Sequence, residues 1–157
     1  MGRSELRFQV EELYADYAAC LDDGELERWP EFFTDDAVYK IMPRDNYERG
    51  LPLALVACES KGMLQDRVAA LRHASVFAPR SLRHLVSSMR ITPSGGSLIH
   101  VRANYAVLET RVDDETRISN AGRYIDQLVR VDGELKIKAK LCICDTVLLS
   151  GALIYPI

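Results

Sequence analysis

The second half of the chain contains four long stretches in which apolar and polar residues alternate with a period of two. They are rich in β-branched residues and are separated by turn sequences, which is typical of a meander of antiparallel strands. The Asp132-Gly133 pair tolerates the positive φ angles of a type I′ turn and therefore predicts a two-residue hairpin between the last two strands. We predict the strands at Leu82–Ile91, Leu98–Thr110, Thr116–Val131 and Glu134–Leu148.

The first half of the chain has helical spacing instead. From Ser4, taken as the N-cap, apolar residues recur on one helix face as far as Leu21. A short second helix is predicted over Glu25–Phe33, and a strand over Ala37–Ile41. A helix, a short helix and a strand thus precede the long meander.

Two further elements are predicted between the first strand and the meander. Leu51–Ala57 is nearly continuously apolar and suits a buried strand or the end of a helix, and a helix follows Lys61-Gly62. Helices first and a long meander last predict an α+β fold of the cystatin-like or NTF2-like cone type. In this fold the N-terminal helices pack in a long curved antiparallel sheet, here as a single domain over residues 1–157.

The last predicted strand changes character along its length. Its alternation places Leu135, Ile137, Ala139, Leu141 and Ile143 toward the core and lysines 136, 138 and 140 toward water. Beyond Lys140 the outward positions become Cys142 and Cys144. We therefore expect this end of the strand to be covered on both sides, either by helices of the same chain or by another subunit. The apolar residues 151–157 would also be awkward in water.

Composition excludes several classes of function. Twenty basic and 23 acidic residues give a net charge of −3 without a run of five or six like charges, so neither nucleic acid nor an anionic membrane is predicted as a partner. No apolar signal segment or stretch of about 18 apolar residues is present, and the four cysteines do not suggest a disulfide framework. The expectation is a soluble cytoplasmic protein.

No recognisable metal, nucleotide or hydrolase motif is present. The three histidines, His73, His84 and His100, do not have the spacing of a zinc site, and Cys142 and Cys144 have no second cysteine pair, so we interpret them as packing residues. Phosphate-binding glycine loops and the nucleophile elbow are missing. The sequence therefore shows no recognisable motif for a metal, a nucleotide or a serine nucleophile.

His84 is the one candidate for acid–base chemistry. Its strand places Leu82, His84, Val86 and Ser88 on one side, and cone folds can enclose a cavity where a histidine and an aspartate move protons. The candidate partners are Asp16, Asp23, Tyr14 and Asp126. A hydrogen-bonded structural histidine is the competing interpretation, and it is the one we prefer.

Two other groups of residues have a structural and a functional interpretation. Arg83 is predicted to be an ion-pair residue at the surface or at a subunit edge, with a clamp for a substrate carboxylate as the alternative. Four aromatic residues are predicted to be core, with an aromatic substrate pocket as the minority alternative: Trp29, Phe32, Phe33 and Tyr39.

Several short segments, in this order, resemble one family over nearly the whole chain, from about Leu13 to the C-terminus. They are Trp29-Pro30-Glu31-Phe32-Phe33, Pro43-Arg44-Asp45-Asn46-Tyr47, Glu59-Ser60-Lys61-Gly62-Met63, Asp66-Arg67-Val68 and Arg83-His84. The chain resembles the small (beta) subunit of Rieske-type aromatic-ring-hydroxylating oxygenases. Within that family it is most similar to the small subunits of salicylate 5-hydroxylases, and next to those of terephthalate dioxygenases.

The resemblance implies a structural, accessory subunit of an oxygenase component, usually three large and three small subunits, in which the small subunit also trimerises. The large subunit of such a complex carries the Rieske [2Fe-2S] cluster, the mononuclear Fe(II) and the substrate pocket, and NAD(P)H supplies electrons through a ferredoxin and a reductase. The resemblance implies no catalytic, cofactor-binding or metal-binding residue in this chain, because the family places none in its small subunit. The expected substrate is salicylate or a similar aromatic carboxylate. The alternatives are a stand-alone dehydratase or isomerase using His84 and an aspartate, and a module that binds a small ligand.

Overall fold

The computed structural model describes residues 2–73, 79–93, 96–146 and 155–157. The described helices are α1 (Arg3–Asp22), α2 (Arg44–Glu48) and α3 (Lys61–His73), with a single 3₁₀ turn at Trp29–Phe32. The described strands are β1 (Phe33–Pro43), β2 (Val56–Cys58), β3 (Arg80–Pro93), β4 (Ile99–Arg111), β5 (Arg117–Val131) and β6 (Glu134–Cys144).

All six described strands form one sheet, in the order β2-β1-β6-β5-β4-β3. Neighbouring strands are antiparallel except β1 and β6, which are parallel. The helix α1 packs on the sheet, chiefly against β3, and α3 packs against β1. The inner face of the curved sheet and these helices enclose the core, which confirms the predicted α+β cone.

The meander and the first helix are where the sequence predicted them. The four long strands agree with the predictions to within about two residues, except that β6 ends at Cys144, and the predicted positions 147 and 148 lie outside the described residues. Asp132 and Gly133 have φ angles of 51° and 89°, so the predicted hairpin turn is confirmed. The parallel β1–β6 pair was not predicted.

The predicted helix boundaries at Ser4 and at Glu25–Phe33 were wrong in detail. The N-cap position of α1 is Gly2, in extended conformation, and Ser4 lies inside the first turn. Between Glu25 and Phe33 the chain forms turns and then the 3₁₀ turn rather than a helix, because Pro30 has no N–H with which to continue a helical ladder.

The prediction that Leu51–Ala57 is buried was also wrong. Leu51, Leu53 and Leu55 are exposed, and only Val56–Cys58 pairs with β1, as the short edge strand β2. Continuous apolarity indicates burial only where another element covers the segment, and none does so here among the described residues.

A β-bulge changes which residues of β3 face inward. Ser87 pairs with Asn104 and Arg90 pairs with Arg102, so Ser88 and Met89 together face Ala103. Ser88 adopts a φ of 53°, in the left-handed region that non-glycine residues rarely occupy. The prediction that Ser88 shares a side with His84 was therefore wrong: Ser88 is exposed.

A second bulge reverses the predicted orientation of Lys140. Leu128 pairs with Ile137 and Gln127 pairs with Ala139, so Lys138 has no partner on β5. One extra residue shifts the alternation by one position, and Lys140 therefore points into the core, where it is fully buried. Periodicity alone could not locate this bulge.

The end of β6 is covered on both sides, as predicted, and by this chain itself. The prediction that Cys142 and Cys144 face outward was wrong: the bulge turns both into the core, where Cys142 donates to Ile157 and Cys144 accepts from Tyr105. Cys142, Ile143 and Cys144 are all buried, and α2 packs against this end of the strand. Pro156 and Ile157 are buried inside the cone, while residues 147–154 lie outside the described part of the chain.

Gly122 marks a close approach of β5 to β6. A Cβ atom at this position would stand 1.9 Å from the carbonyl oxygen of Ile143 and 3.2 Å from the Cα of Cys144. Since no side chain fits there, glycine is required by space rather than by backbone conformation.

Candidate functional site

His84 and Asp22 form a buried pair on the inner face of the sheet. His84 lies on β3, and Asp22 is the last residue of α1, which crosses that strand. The Nδ1 atom of His84 is 2.6 Å from Oδ1 of Asp22, and the backbone N–H of His84 donates to the same carboxylate at 3.0 and 3.1 Å. A carboxylate that orients an imidazole is the arrangement of many acid–base sites.

The partners predicted for His84 were therefore wrong. Asp16 and Asp23 are exposed, and Tyr14 and Asp126 contact each other elsewhere in the interior. The sequence does contain a signal for Asp22, because it follows Ala18 of the apolar stripe by four residues and so continues the face of α1 that meets the sheet.

The second nitrogen of His84 faces the chain's own backbone. Nε2 is 3.3 Å from the carbonyl oxygen of Pro156. Oxygens of this chain thus oppose both ring nitrogens, and neither nitrogen is directed at open space. A general base needs a nitrogen within reach of a substrate proton, which this arrangement does not offer.

The main chain of Ile157 occupies the interior beside this pair. Its carbonyl oxygen accepts hydrogen bonds from the hydroxyls of Tyr17 and Tyr39, at 2.9 and 3.2 Å, and from the thiol of Cys142 at 3.4 Å. Its N–H donates to the Tyr39 hydroxyl at 3.0 Å, and the indole N–H of Trp29 donates to the Tyr17 hydroxyl at 3.1 Å. The donors around Ile157 are thereby satisfied within the chain.

A buried ion pair lies deeper in the cone. The Lys140 ammonium donates to Oδ2 of Asp126 at 2.8 Å, and the Tyr14 hydroxyl donates to the same oxygen. The ammonium also lies over the rings of Tyr124, Tyr17 and Tyr14, at 3.4, 4.8 and 4.9 Å from their centroids. Burial raises the pKa of Asp126, and the contact with Lys140 opposes that shift.

This ion pair was not predicted as a unit. Asp126 had been considered only as a partner for His84, and Lys140 as a surface residue. The other oxygen of Asp126, Oδ1, and the hydroxyl of Tyr124 are buried and have no hydrogen-bond partner among the described residues. A charged pair with one unpaired acceptor costs free energy when it is isolated from water, so its members depend on each other.

The aromatic residues form core, as predicted. The ring of Trp29 packs edge-on against Phe33 and Tyr39, with centroids 5.5 and 5.0 Å apart. Phe32 is half-buried and packs against Tyr17. Their contacts are with one another and leave no separate aromatic pocket among the described residues that we can assign.

Arg83 lies on the outer face of the sheet, at the surface as predicted. Its guanidinium donates to the carbonyl oxygen of Leu82 at 2.8 Å. Within the described residues no carboxylate lies at ion-pair distance from it, so the predicted ion pair is not formed inside this chain.

The donor atoms of the interior do not fit an iron centre. A Rieske cluster takes two thiolates and two imidazoles, and a mononuclear iron site takes two histidines and a carboxylate. The imidazole of His84 is held by Asp22 and Pro156, and burial raises the pKa of Cys142, which favours the protonated thiol. The described residues contain no group of three or more histidine, cysteine, aspartate or glutamate side chains suited to a metal ion. Nor do they include a helix long and apolar enough to cross a membrane.

Known proteins define the class. The family model of the SnoaL-like domain matches residues 2–140. The small subunit of anthranilate 1,2-dioxygenase from Burkholderia cepacia is 39% identical over 150 residues, which cover 96% of this chain and 93% of that protein. The beta 1 subunit of the terminal oxygenase component of terephthalate 1,2-dioxygenase from a Comamonas species is 29% identical over 149 residues, covering 95% and 97%.

A solved structure agrees with these relatives. The beta subunit assigned to an aromatic-ring-hydroxylating dioxygenase of Novosphingobium aromaticivorans superposes with a TM-score of 0.89 at 41% identity, over 98% of both chains. The chain thus has a SnoaL-like domain. More narrowly, it belongs to the family of small subunits of aromatic-ring-hydroxylating dioxygenases.

Proposed function

We propose that this chain is an accessory subunit of an aromatic-ring hydroxylase and that catalysis takes place in a large partner subunit. One observation carries the accessory role: the inner face of the cone, where a catalytic site would lie, is filled by Pro156 and Ile157. Both nitrogens of His84 and the donors around Ile157 are engaged by these residues and by Asp22. A substrate would have to displace them.

The proposed partner is the large oxygenase subunit, which would hold the Rieske cluster, the mononuclear iron and the substrate pocket. The relatives are named as small subunits of oxygenase components, which supports such a partner. In this proposal three large and three small subunits assemble, the small subunits contact one another as a trimer, and NAD(P)H supplies electrons through a ferredoxin and a reductase.

The proposed substrate is an aromatic carboxylate, with salicylate as the first candidate. Anthranilate and terephthalate, named for the two relatives above, are both benzene rings that carry a carboxylate. Salicylate shares with anthranilate an ortho substituent that can donate a hydrogen bond. The choice among these acids would be made in the large subunit.

The test is to isolate the complex that the tagged chain forms in its own host and to measure its native mass, iron content and salicylate-dependent oxygen uptake. We expect a larger, iron-containing subunit in equal number. H84Q is then introduced: activity per assembled complex should stay within about twofold of the native value, because His84 holds the fold rather than a substrate. An assembled complex that has lost turnover in H84Q would refute the accessory role.

The stand-alone dehydratase or isomerase is not favoured. It requires a nitrogen of His84 that is open to substrate, and the structure places the carbonyl of Pro156 there. The small-ligand module meets the same obstacle, because the interior is occupied by the chain itself. If the tagged chain were isolated as a metal-free homo-oligomer without a companion subunit, the result would favour these two alternatives instead.

A further inference from the structure

Three arginines on the outer face of the sheet have no counter-charge. Arg90, Arg102 and Arg123 lie on β3, β4 and β5, and all three are exposed. We call them the arginine patch. Within the described residues none of them forms an ion pair or a side-chain hydrogen bond. Two lysines of this face, by contrast, form ion pairs: Lys136 with Glu134 and Lys138 with Asp36.

The strand register brings the patch together. Arg90 is directly opposite Arg102 across β3 and β4, and Arg123 is opposite Asn104, two positions further along β4. Ser88 and Asn104 line a shallow cavity of about 260 Å³ with the three arginines. Like charges directly opposite each other destabilise a sheet, so folding does not account for this arrangement.

The backbone is also strained at this point. The bulge in β3 that sets Arg90 opposite Arg102 requires the positive φ of Ser88. Strained non-glycine residues occur preferentially at binding and switch sites. The strained residue and the uncompensated charges thus lie at the same place in the sheet.

An apolar strip adjoins the patch on the same face. Leu85 and Ile118 are 53% and 64% exposed, and half-buried Leu108 lies between their strands, opposite Ile118. Exposed apolar residues beside arginines are typical of a protein–protein interface. A site for a small anion would not need the apolar residues. The patch also spans three strands, or about 10 Å at the usual spacing, which is wider than one carboxylate or phosphate.

We propose that the arginine patch and its apolar strip dock an acidic surface of the large oxygenase subunit. This inference rests on the proposed function. Arginine pairs bidentately with carboxylates, so aspartate and glutamate side chains on the partner are the matching chemistry. A second copy packed on the same face is a poorer occupant, because that two-fold contact would oppose two sets of three arginines. In the proposed trimer a different surface of the neighbour would meet the patch, and the native mass of the variants distinguishes this case.

The experiment compares assembly of the native chain with charge-reversed variants. The complex isolated with the tagged native chain supplies the purified large subunit, and its binding to R102E, to R90E/R102E/R123E and to R7E is measured by surface plasmon resonance. Arg7 is the matched control, an exposed arginine on α1, paired with Glu11. We expect R102E to slow association by about tenfold, the triple variant to abolish binding, and R7E to stay within about twofold. Raising the salt concentration should weaken the native complex more than the residual binding of R102E, which retains two arginines of the patch.

Several results would overturn the inference. If the native chain captures its large subunit and the triple variant binds it equally well, the docking surface lies elsewhere and the proposed function stands. If the triple variant lowers only the self-association of the chain, measured by native mass, the occupant is a second copy. If it abolishes only binding of inorganic phosphate, the patch is an anion site. If the native chain captures no large subunit, the proposed function itself fails. Circular dichroism of each variant checks that the loss is not unfolding.

Discussion

The two faces of the sheet differ in whether their charged side chains are paired within the chain. On the inner face a histidine is held by Asp22 and Pro156, a buried lysine is paired with an aspartate, and two tyrosines donate to Ile157. The chain itself thus occupies what resembles an active site. On the outer face three arginines form no ion pair with any carboxylate of the described residues. The comparison teaches that a cluster of catalytic residue types can be structural, while the groups left uncompensated indicate where a partner binds.

The largest effect expected on the inner face is alkaline unfolding. Burial raises the pKa values of five tyrosines: 14, 17, 39, 105 and 124. The unfolded chain releases these protons near pH 10 and the folded chain does not, so stability is complete below pH 10 and falls as the pH rises. Each tyrosine contributes a loss of about 1.4 kcal/mol per pH unit. Urea unfolding from pH 8 to 11 measures how steeply the free energy of unfolding falls with pH. Y39F removes one of the titrating hydroxyls and should reduce that slope above pH 10 by about 1.4 kcal/mol per pH unit. A flat profile would contradict the burial of these hydroxyls.

Breaking the buried ion pair should be next in size. K140M removes the counter-charge of Asp126 and leaves an unpaired carboxyl group in the core. It should lower the free energy of unfolding by about 3–5 kcal/mol. K140M/D126N should recover much of that loss, since no buried charge remains. The matched control is K138M on the outer side of the same strand, where the exposed pair with Asp36 should contribute about 0–1 kcal/mol. Equal losses in K140M and K138M, measured by urea unfolding, would show that the bulge does not turn Lys140 inward.

The close approach at Gly122 gives a third test of the inner face. A methyl group in G122A would meet the backbone of β6, which cannot move without breaking the ladder, so the loss should be about 3 kcal/mol. G133A tests a different cause, a positive φ in open space, and should cost about 1 kcal/mol. Thermal unfolding of both variants distinguishes steric exclusion from backbone conformation. A neutral G122A would place β5 and β6 further apart than described.

The smallest effect is expected on the outer face, and it has the opposite sign. R102E places a carboxylate opposite Arg90 and should raise stability by about 0.2–1 kcal/mol, even as it impairs docking. Urea unfolding of the isolated chain measures the gain. R102E that destabilised the isolated chain by more than about 1 kcal/mol would indicate that Arg102 serves the fold.

The periodic parts of the fold were predictable from the sequence, and the points where the period breaks were not. The four long strands and the hairpin at Asp132-Gly133 follow from alternation and turn chemistry. The bulges at Ser88 and Lys138 each insert one residue without any local signature, and each reverses the side chains that follow. Lys140 was therefore predicted to lie at the surface, although its side chain points into the core.

The candidate site was predictable only in part for a related reason. His84 was recognised because its strand is regular up to that point, but its partner Asp22 lies 62 residues away, and the carbonyl of Pro156 lies 72 residues away in the other direction. Such contacts depend on how α1 crosses the sheet. The arginine patch is likewise formed by register between strands, which spacing along the chain does not specify.

The parallel pairing of β1 with β6 has a consequence for how the protein is made. Phe33–Pro43 can complete its hydrogen bonds only with Glu134–Cys144, about a hundred residues later in synthesis. Until β6 is synthesised, β1 can pair only with the three residues of β2, and its other edge has no partner strand. Such distant pairing is slow to nucleate, and until it forms an apolar strand edge is open to wrong partners. We therefore expect the sheet of this subunit to close only after β6 has been synthesised.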